Sequence, residues 1–417
     1  MSKFNDKRGT LIFPIKNNSF ISKETTVSIN NKNVFRGIHI NQINKLVTCI
    51  NGKILDIIIN FNKEEEDYLI PKYYTLDPST DFFQILVPKN HGHAFFSIED
   101  NSILVYNFDG IFDEKETTHY HYLDPYLNIK LPIENPIISD KDNVKHFIKP
   151  IDYLVFGSKG FLGSNIVELL QKENKHFITT NLRLHQLEEI KHLLDIYKPK
   201  YIINCAGITG SPNIFWCDEH KEETIENNIT YQLTLAAICK EKNIHLTIFG
   251  SGGIFKEDRI YSEKEEGNFK ENFYGECRIN LESIIKNYEN VLYLRVNYPI
   301  SSKKSNKNLL TKLISYQKIE ANDEFSITYV DNLFPILFKM IENNEVGICN
   351  FTNPGTINII EIMNIYKKKN KKHNFEIELV DKTNNKRSFA KLFPQKLLKY
   401  NPLSIEEAIH NCIENYK

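Results

Sequence analysis

Short apolar runs of strand length fill the first third of the chain, and none keeps the three-to-four spacing of a helix for long. The pattern predicts strands at 46–50, 54–59, Gln84–Val87, 94–98 and 103–108. Asn51-Gly52 between the first two reads as a hairpin turn, because both residues tolerate positive φ. Many short strands separated by turn signals imply a sandwich or barrel. Over 131–150 the composition shifts to Pro, Asp, Asn and Lys, which reads as an extended exit and linker.

The pattern then changes. Residues 152–168 read DYLVFGSKGFLGSNIVE, a β-branched and aromatic strand meeting Gly157, Gly160 and Gly163, then a helix with Ile166, Leu169 and Leu170 apolar. Beyond it Leu187, Ile190, Leu193 and Leu194 form a helical stripe, and 201–203 reads as a buried strand. A helix over 228–240, a strand at 246–249, a helix from about Tyr274 and a strand at Val291–Val296 continue the alternation. This order predicts an α/β, Rossmann-like doubly wound parallel sheet. From about Tyr298 the pattern is less regular and is expected to form a small substrate cap, and the KKNKK run at 368–372 a solvated helix end.

With 417 residues, two domains are expected, an all-β one over 1–148 and an α/β one over 149–417. A net charge of −1 offers no basic field for nucleic acid. No apolar run has the length of a membrane span, and the first residues lack a signal-peptide core, so no membrane partner is expected. Seven cysteines, an odd number mostly in apolar segments, fit reduced thiols of a cytoplasmic protein, and without a CxxC pair no structural zinc is expected. Abundant Asn, Ile and Lys reads as codon bias rather than disorder.

The glycine loop carries the clearest chemistry. Gly157, Ser158, Lys159, Gly160, Phe161, Leu162 and Gly163 join strand to helix as a dinucleotide-binding turn does. Its glycines let backbone approach a pyrophosphate at a helix N-terminus. After the next strand, Asn181 and Arg183 stand where an NAD site places a carboxylate, which favours NADPH, with NADH as the alternative.

In the first domain Asp6–Gly9 (DKRG), Asn33–His39 (NVFRGIH), Lys45-Leu46-Val47, Val87-Pro88 with His93-Ala94-Phe95, and Ser139–Asp142 (SDKD) follow in order. Together they resemble the cupin-type 3,5-epimerases of dTDP-4-keto-6-deoxyglucose. The resemblance implies a jelly roll with His39 as base, Asp142 as its orienting partner, Lys45 as enolate stabiliser, Tyr106 as proton donor, and Arg36 on the substrate diphosphate. Those residue types suit the reaction: protons beside a ketone are acidic only as an enolate forms, which calls for a base, an acid and a cation. Departures fall on the pocket wall, where a second expected tyrosine is Phe112, substrate-contacting Gln and Asn are Glu24 and Thr26, and an Arg is Asn62. They point to a different sugar or to epimerisation at one carbon. His39, His91 and His93 could share a face around a metal, but His39 is followed by Ile40 and Asn41 rather than a second histidine, so no metal is expected. His119 and His121 read as a solvated loop.

In the second domain Asn204–Gly210 (NCAGITG), Pro212-Asn213, Trp216-Cys217, His220-Lys221, Leu294-Arg295-Val296, Pro299–Ser302 and Asn350–Gly355 resemble the plant-type bifunctional UDP-4-keto-6-deoxyglucose 3,5-epimerase/4-keto-reductases. These are extended short-chain dehydrogenases. The resemblance places Ala206 and Gly207 at the cofactor, and Thr209, Asn213 and Lys312 at the substrate. It makes Ser251 and Tyr274 catalytic, with Arg278 where the family has lysine. It also implies that the reductase domain's own epimerase cysteine is here Gly253. Cys217 reads as a packed pocket thiol.

The expected function is a fused enzyme that epimerises a UDP- (or dTDP-) linked 4-keto-6-deoxyhexose and reduces it at C4 to UDP-L-rhamnose or a relative, as a homodimer. One alternative is the same chemistry on a 2-acetamido-2,6-dideoxy sugar with C3 epimerisation only. Two others are a reductase carrying a merely dimerising cupin, and a nucleotide-sugar binding protein without turnover.

Overall fold

The computed structural model describes residues 2–417 other than Arg8, Pro14, 16–19, Pro125, Lys145, Pro212, Glu257, 321–322, 372–373 and 379–387. Arg8, Pro212 and Lys372 of the motifs above therefore lie outside the described residues. The chain divides into two compact units, Met1–Pro150 and Ile151–Lys417.

In the first unit β1 (Ser2–Asp6) and β2 (Gly9–Phe13) form a separate pair. Then come β3 (Glu24–Asn30), β4 (Phe35–Ile40), β5 (Lys45–Asn51), β6 (Ile54–Asn60), β7 (Pro71–Leu76), β8 (Gln84–Val87), β9 (His91–Ser97), β10 (Ser102–Phe108) and β11 (Thr118–His119). They build two antiparallel sheets, β3-β10-β5-β8 and β11-β4-β9-β6-β7. Val47, Cys49, Ile54, Ile58, Phe95 and Leu104 form a core shared by the two sheets. Non-directional burial of such apolar area is the main force holding them together.

Three details depart from the sequence reading. Asn51-Gly52 is not a hairpin turn: β5 and β6 belong to different sheets, and the pair makes a corner between them. Gly52 has φ +74°, and a Cβ there would lie 2.3 Å from Ser102 Oγ, so the dipeptide marks a tight turn without choosing the partner strand. Residues 131–150 do not form a linker. Phe35 N donates to Ile137 O (2.9 Å), Ile137 N to Asn33 O (2.8 Å) and His121 N to His146 O (2.9 Å), which fastens the segment to the first unit. His119 is not on a solvated loop but pairs directly with His39 across β11 and β4.

A bulge shapes β4. Arg36 pairs with Phe95 and His39 with His93, so three steps on β4 match two on β9. The inserted residue puts Arg36 and His39 on one face, where strict alternation would oppose them. Gly37, at φ +127°, permits this; a Cβ there would sit 2.5 Å from Ala94 Cβ.

The second unit opens with β12 (Tyr153–Phe156), α1 (Phe161–Lys172), β13 (Phe177–Thr180), α2 (Leu187–Tyr197) and β14 (Tyr201–Asn204). Then follow α3 (Trp216–Glu219), α4 (Lys221–Ile225), a π-helical turn (Glu226–Thr230), α5 (Tyr231–Glu241), β15 (His245–Phe249), β16 (Ile260–Tyr261), α6 (Phe273–Ile285) and β17 (Val291–Val296). The remainder holds α7 (Leu309–Ser315), β18 (Lys318–Glu320), α8 (Val330–Glu342), β19 (Gly347–Phe351), α9 (Ile359–Lys369) and α10 (Ile405–Glu414). The main sheet is six-stranded and parallel, in the order β13-β12-β14-β15-β17-β19. The region after Tyr298 is thus more than a cap: β19 completes the sheet, and Leu333, Phe334, Leu337 and Phe338 of α8 enter its core. A second apolar cluster, including Ile300, Leu310, Phe325 and Ile409, organises the rest.

One polar hub fixes the strand that borders the site. Arg295 on β17 is 1% exposed and uses all five donors. Nε and Nη2 reach the Glu282 carboxylate on α6, Nη1 reaches Asn350 Oδ1 and Ser262 O, and Nη2 also reaches Glu265 O. Strand β17, helix α6 and strand β19 are locked together by one guanidinium. Arg295→Met would leave Glu282 buried without its partner, at a cost of roughly 3–5 kcal/mol. Urea unfolding followed by the fluorescence of Trp216, the single tryptophan of the chain, reads this unit directly; a loss under about 1 kcal/mol would contradict the assignment.

Candidate functional site

Two constellations emerge, one in each unit. In the first, His39 Nε2 lies 2.6 Å from Asp142 Oδ1, with the histidine 27% and the carboxylate 4% exposed. Ser139 Oγ donates to Asp142 Oδ2 (3.1 Å), so both carboxylate oxygens are engaged. Burial pushes the Asp142 carboxyl up, but the His39 hydrogen bond and charge outweigh it and hold it below the ordinary value.

Behind this pair sits a buried polar pair, of which the sequence reading singled out His93 but not Asp56. His93 Nε2 lies 2.8 Å from Asp56 Oδ2, with the two side chains 4% and 0% exposed. The His93 ring is 6.2 Å from that of Tyr106, edge to face. Burial holds the His93 imidazole below its ordinary pKa, with Lys45 and His39 adding to the effect and Asp56 opposing it. Lys45, buried on β5, donates from Nζ to Asn41 Oδ1 (2.9 Å). Burial lowers its pKa to about 7, against the pull of Asp56. Burial likewise pushes the Tyr106 phenol well up, with Asp56 adding and the Arg36 charge opposing. Asp56 is the one acid in strand β6, ILDIIIN.

His39, Lys45, Tyr106 and Asp142 are therefore brought together around His93. Arg36 reaches Asn30 Oδ1 through Nε (3.0 Å). Glu24 accepts from Phe112 N (2.8 Å), so two pocket-wall departures touch each other. His91 stands apart, with Nδ1 3.2 Å from Lys89 O, and His93 is taken by Asp56. The trio His39, His91 and His93 is not a ligand set.

In the second unit the glycine loop lies between β12 and α1. A Cβ on Gly157 would sit 2.7 Å from Ala206 N, and one on Gly163 would sit 2.2 Å from Gly157 O. The loop and the strand end of β14 touch with no room for side chains. This is the topological switch point between neighbouring strands of a doubly wound sheet, where a dinucleotide pyrophosphate fits. Asn181 and Arg183 follow β13, beside β12, and both are exposed.

A cavity of about 780 Å³ opens beside the loop, lined among others by Leu162, Ala206, Gly207, Ser251, Tyr274 and Arg278. Thr209, Asn213, Gly253 and Lys312 also line it. Asn272 caps α6 by accepting from Gly275 N (2.7 Å), which sets Tyr274 in the first turn and Arg278 one turn later. The Arg278 guanidinium lies 5.1 Å from the Tyr274 ring centroid. Arg278 is 4% exposed, and among the described residues its Nε and Nη1 have no hydrogen-bond partner. Unsatisfied buried donors on a cavity wall fit the hydroxyls of a ribose. Ser251 Oγ accepts from Gly253 N (3.1 Å).

Asn228 also escaped the sequence reading. It sits in the π-helical turn, accepts from Ile208 N (3.0 Å) and donates to Ile208 O (2.8 Å), pinning the loop that carries Gly207. Cys217 is fully buried. Among the described residues no helix is long and apolar enough to cross a membrane, and the seven cysteines are free thiols.

Comparison with known proteins adds the following. A family model described as dTDP-4-dehydrorhamnose 3,5-epimerase matches residues 1–149, and one described as RmlD substrate binding domain matches residues 151–387. The chain is 36% identical over 225 residues to the bifunctional dTDP-4-dehydrorhamnose 3,5-epimerase/dTDP-4-dehydrorhamnose reductase of Arabidopsis thaliana, covering 52% of this chain and 74% of the relative. Its fold is similar to the L780 UDP-rhamnose synthase of Acanthamoeba polyphaga mimivirus, with a TM-score of 0.60, 24% identity, and coverage of 64% of this chain and 100% of that one. It is also similar to the dTDP-4-dehydrorhamnose reductase of Bacillus anthracis solved with NADP, with a TM-score of 0.57, 19% identity, and coverage of 64% and 100%.

The burial of Lys45 makes a measurable claim. Its ammonium is present below about pH 7 and lost above it, whereas the unfolded chain keeps the proton to the ordinary 10.5. Between those values the unfolded state binds the extra proton, so this group's contribution to stability rises with pH across that window. Nitrogen NMR of ¹⁵N-lysine protein should show one Nζ titrating with a midpoint near 7, absent in Lys45→Met; a Lys45 midpoint in the ordinary lysine range would contradict it.

Proposed function

The chain belongs to the RmlD substrate binding domain family, and from that premise we propose that it is a bifunctional nucleotide-sugar enzyme, an epimerase in its first unit and a 4-keto reductase in its second. The observation that carries the proposal is that both sets of acid–base groups stand assembled on one chain. His39, Asp142, Lys45 and Tyr106 surround buried His93, while Ser251, Tyr274 and Arg278 line one cavity beside the glycine loop.

In the epimerising unit His39 takes the proton from a carbon next to the C4 ketone. Asp142 holds the imidazole in orientation and stabilises the imidazolium that forms. Lys45, as ammonium, binds the enolate oxygen. Tyr106, whose raised pKa keeps its hydroxyl protonated, delivers a proton to the opposite face. Arg36, on the His39 face of β4, takes the diphosphate through its fork of donors.

In the reducing unit the glycine loop cradles the pyrophosphate of NADPH, which supplies hydride when bound. Asn181 and Arg183, with no carboxylate, favour the 2′-phosphate; the NADP-bound relative supports the same choice. Ser251 binds the C4 oxygen and Tyr274 gives it a proton. Arg278 holds the ribose as a permanent cation but does not pass a proton on, so Tyr274 is reprotonated by another route. Thr209, Asn213 and Lys312 hold the sugar nucleotide in the cavity. Gly253 has no proton to give, so epimerisation belongs to the first unit alone.

The substrate is a UDP-4-keto-6-deoxyhexose and the product UDP-L-rhamnose, supported by the synthase of similar fold; the Arabidopsis relative's dTDP name keeps dTDP as the alternative. The altered pocket wall, with Glu24, Thr26, Asn62 and Phe112, carries a second reading, a 2-acetamido-2,6-dideoxy sugar epimerised only at C3. A cytoplasmic homodimer completes the proposal.

The two activities should separate by mutation. His39→Ala should lower solvent exchange at the sugar carbons by about 10²–10⁴-fold, while sparing NADPH oxidation with an already epimerised substrate. Tyr274→Phe should do the reverse, by a similar factor. Assay of both variants by deuterium incorporation and by NADPH absorbance decides the matter; wild-type exchange in His39→Ala sinks the base assignment.

A further inference from the structure

We propose that His39, His119 and Asp142 form a binding site for a divalent ion of zinc type, and that its occupancy reversibly silences the epimerising unit. Strand β11 pairs with β4 so that His119 stands opposite His39, their ring centroids 4.7 Å apart and the planes at 66°. One donor atom from each of the three side chains lies within 4.8 Å of the other two. Around a tetrahedral ion with bonds of about 2.0–2.1 Å the ligand atoms stand roughly 3.3 Å apart, so small side-chain rotations close the set.

The second observation is the state of the His119 ring. Its Nε2 lies 3.1 Å from Glu114 Oε1, and an ionised carboxylate only accepts, so this contact favours the tautomer with the proton on Nε2. In that tautomer Nδ1 is a bare lone pair, buried without a hydrogen-bond partner among the described residues. A carboxylate on one ring nitrogen that leaves the other free is how metal-bound imidazoles are commonly oriented. An ion would satisfy this acceptor, as no other group among the described residues does. Water completes the coordination, while Glu114, paired also with Lys141 at 2.6 Å, stays outside it. Two imidazoles and one carboxylate suit Zn²⁺ or Co²⁺ and not Mg²⁺ or Ca²⁺, which require mostly oxygen ligands.

The inhibitory consequence rests on His39 being the base, because an ion there withholds the nitrogen and its Asp142 partner from the sugar. The binding itself does not rest on that assignment. His119 has no part in the epimerisation, so its removal separates the two questions.

The test uses the full chain, freed of metal by chelator and titrated with CoCl₂. Intensified visible d–d absorption that ZnCl₂ abolishes is the expected sign of the site. His119→Ala and His119→Gln should each weaken Zn²⁺ and Co²⁺ by about tenfold or more. ZnCl₂ should suppress deuterium exchange in the wild type, chelator should restore it, and NADPH-linked reduction should stay unchanged. Both variants should exchange deuterium normally without metal and resist zinc. An unchanged Co²⁺ spectrum in both variants, or zinc inhibition equal to the wild type in both, overturns the proposal. If the wild type shows no exchange at all, the failure belongs to the epimerase reading, and the Co²⁺ titration alone decides the site.

Discussion

The 2.6 Å contact between His39 Nε2 and Asp142 Oδ1 joins residues 103 positions apart, and the chemistry of the first unit depends on it. Neither group does the same job alone. A free imidazole has no fixed direction, and a buried carboxylate without a donor is costly. The contact needs the bulge at Gly37, which turns His39 toward the face it shares with Arg36. It also needs 131–150 fastened along β4, because that segment carries Asp142. Behind it, the Asp56–His93 pair keeps further charge in a dry interior. There burial pulls the Lys45 ammonium down to about 7, and the enolate role proposed for it starts from that shift.

The second unit solves a different problem, placing a proton donor where hydride arrives. Arg295 fixes α6 and β17 against each other, and α6 in turn presents Tyr274 and Arg278 to the cavity. Substituting arginine for the usual lysine exchanges a proton carrier for a permanent cation. Glycine at 253 removes any epimerising acid from the same cavity. A Cβ there would meet nothing closer than Ser251 Oγ at 3.5 Å, so the space was available and the group is what is missing. In the proposed function labour is divided: proton exchange on one unit, reduction on the other.

Local signals carried much of this. The glycine loop and the alternating helices and strands after it depend on neighbours in sequence, and they stand where the pattern places them. So do the strand runs of the first unit and the His39 and Asp142 motifs. Long-range choices were illegible. Asn51-Gly52 announces a turn but not that β5 and β6 part into different sheets, because sheet partners are set by packing across the core. The role of β19 in the main sheet was hidden in the same way, since its parallel partner β17 lies a whole helical crossover earlier. His119 looked like part of a polar loop because only a two-residue strand holds it against His39. Asp56 and Asn228 needed partners from distant segments before either could be read as more than an isolated polar residue.

The most direct measurement is a proton NMR time course with UDP-4-keto-6-deoxyglucose in D₂O, first without and then with NADPH. Deuterium should enter at C3 and C5 before NADPH is added, and UDP-L-rhamnose should form afterwards. NADPH consumption with no deuterium in the product would contradict the account, leaving a reductase joined to a silent first unit.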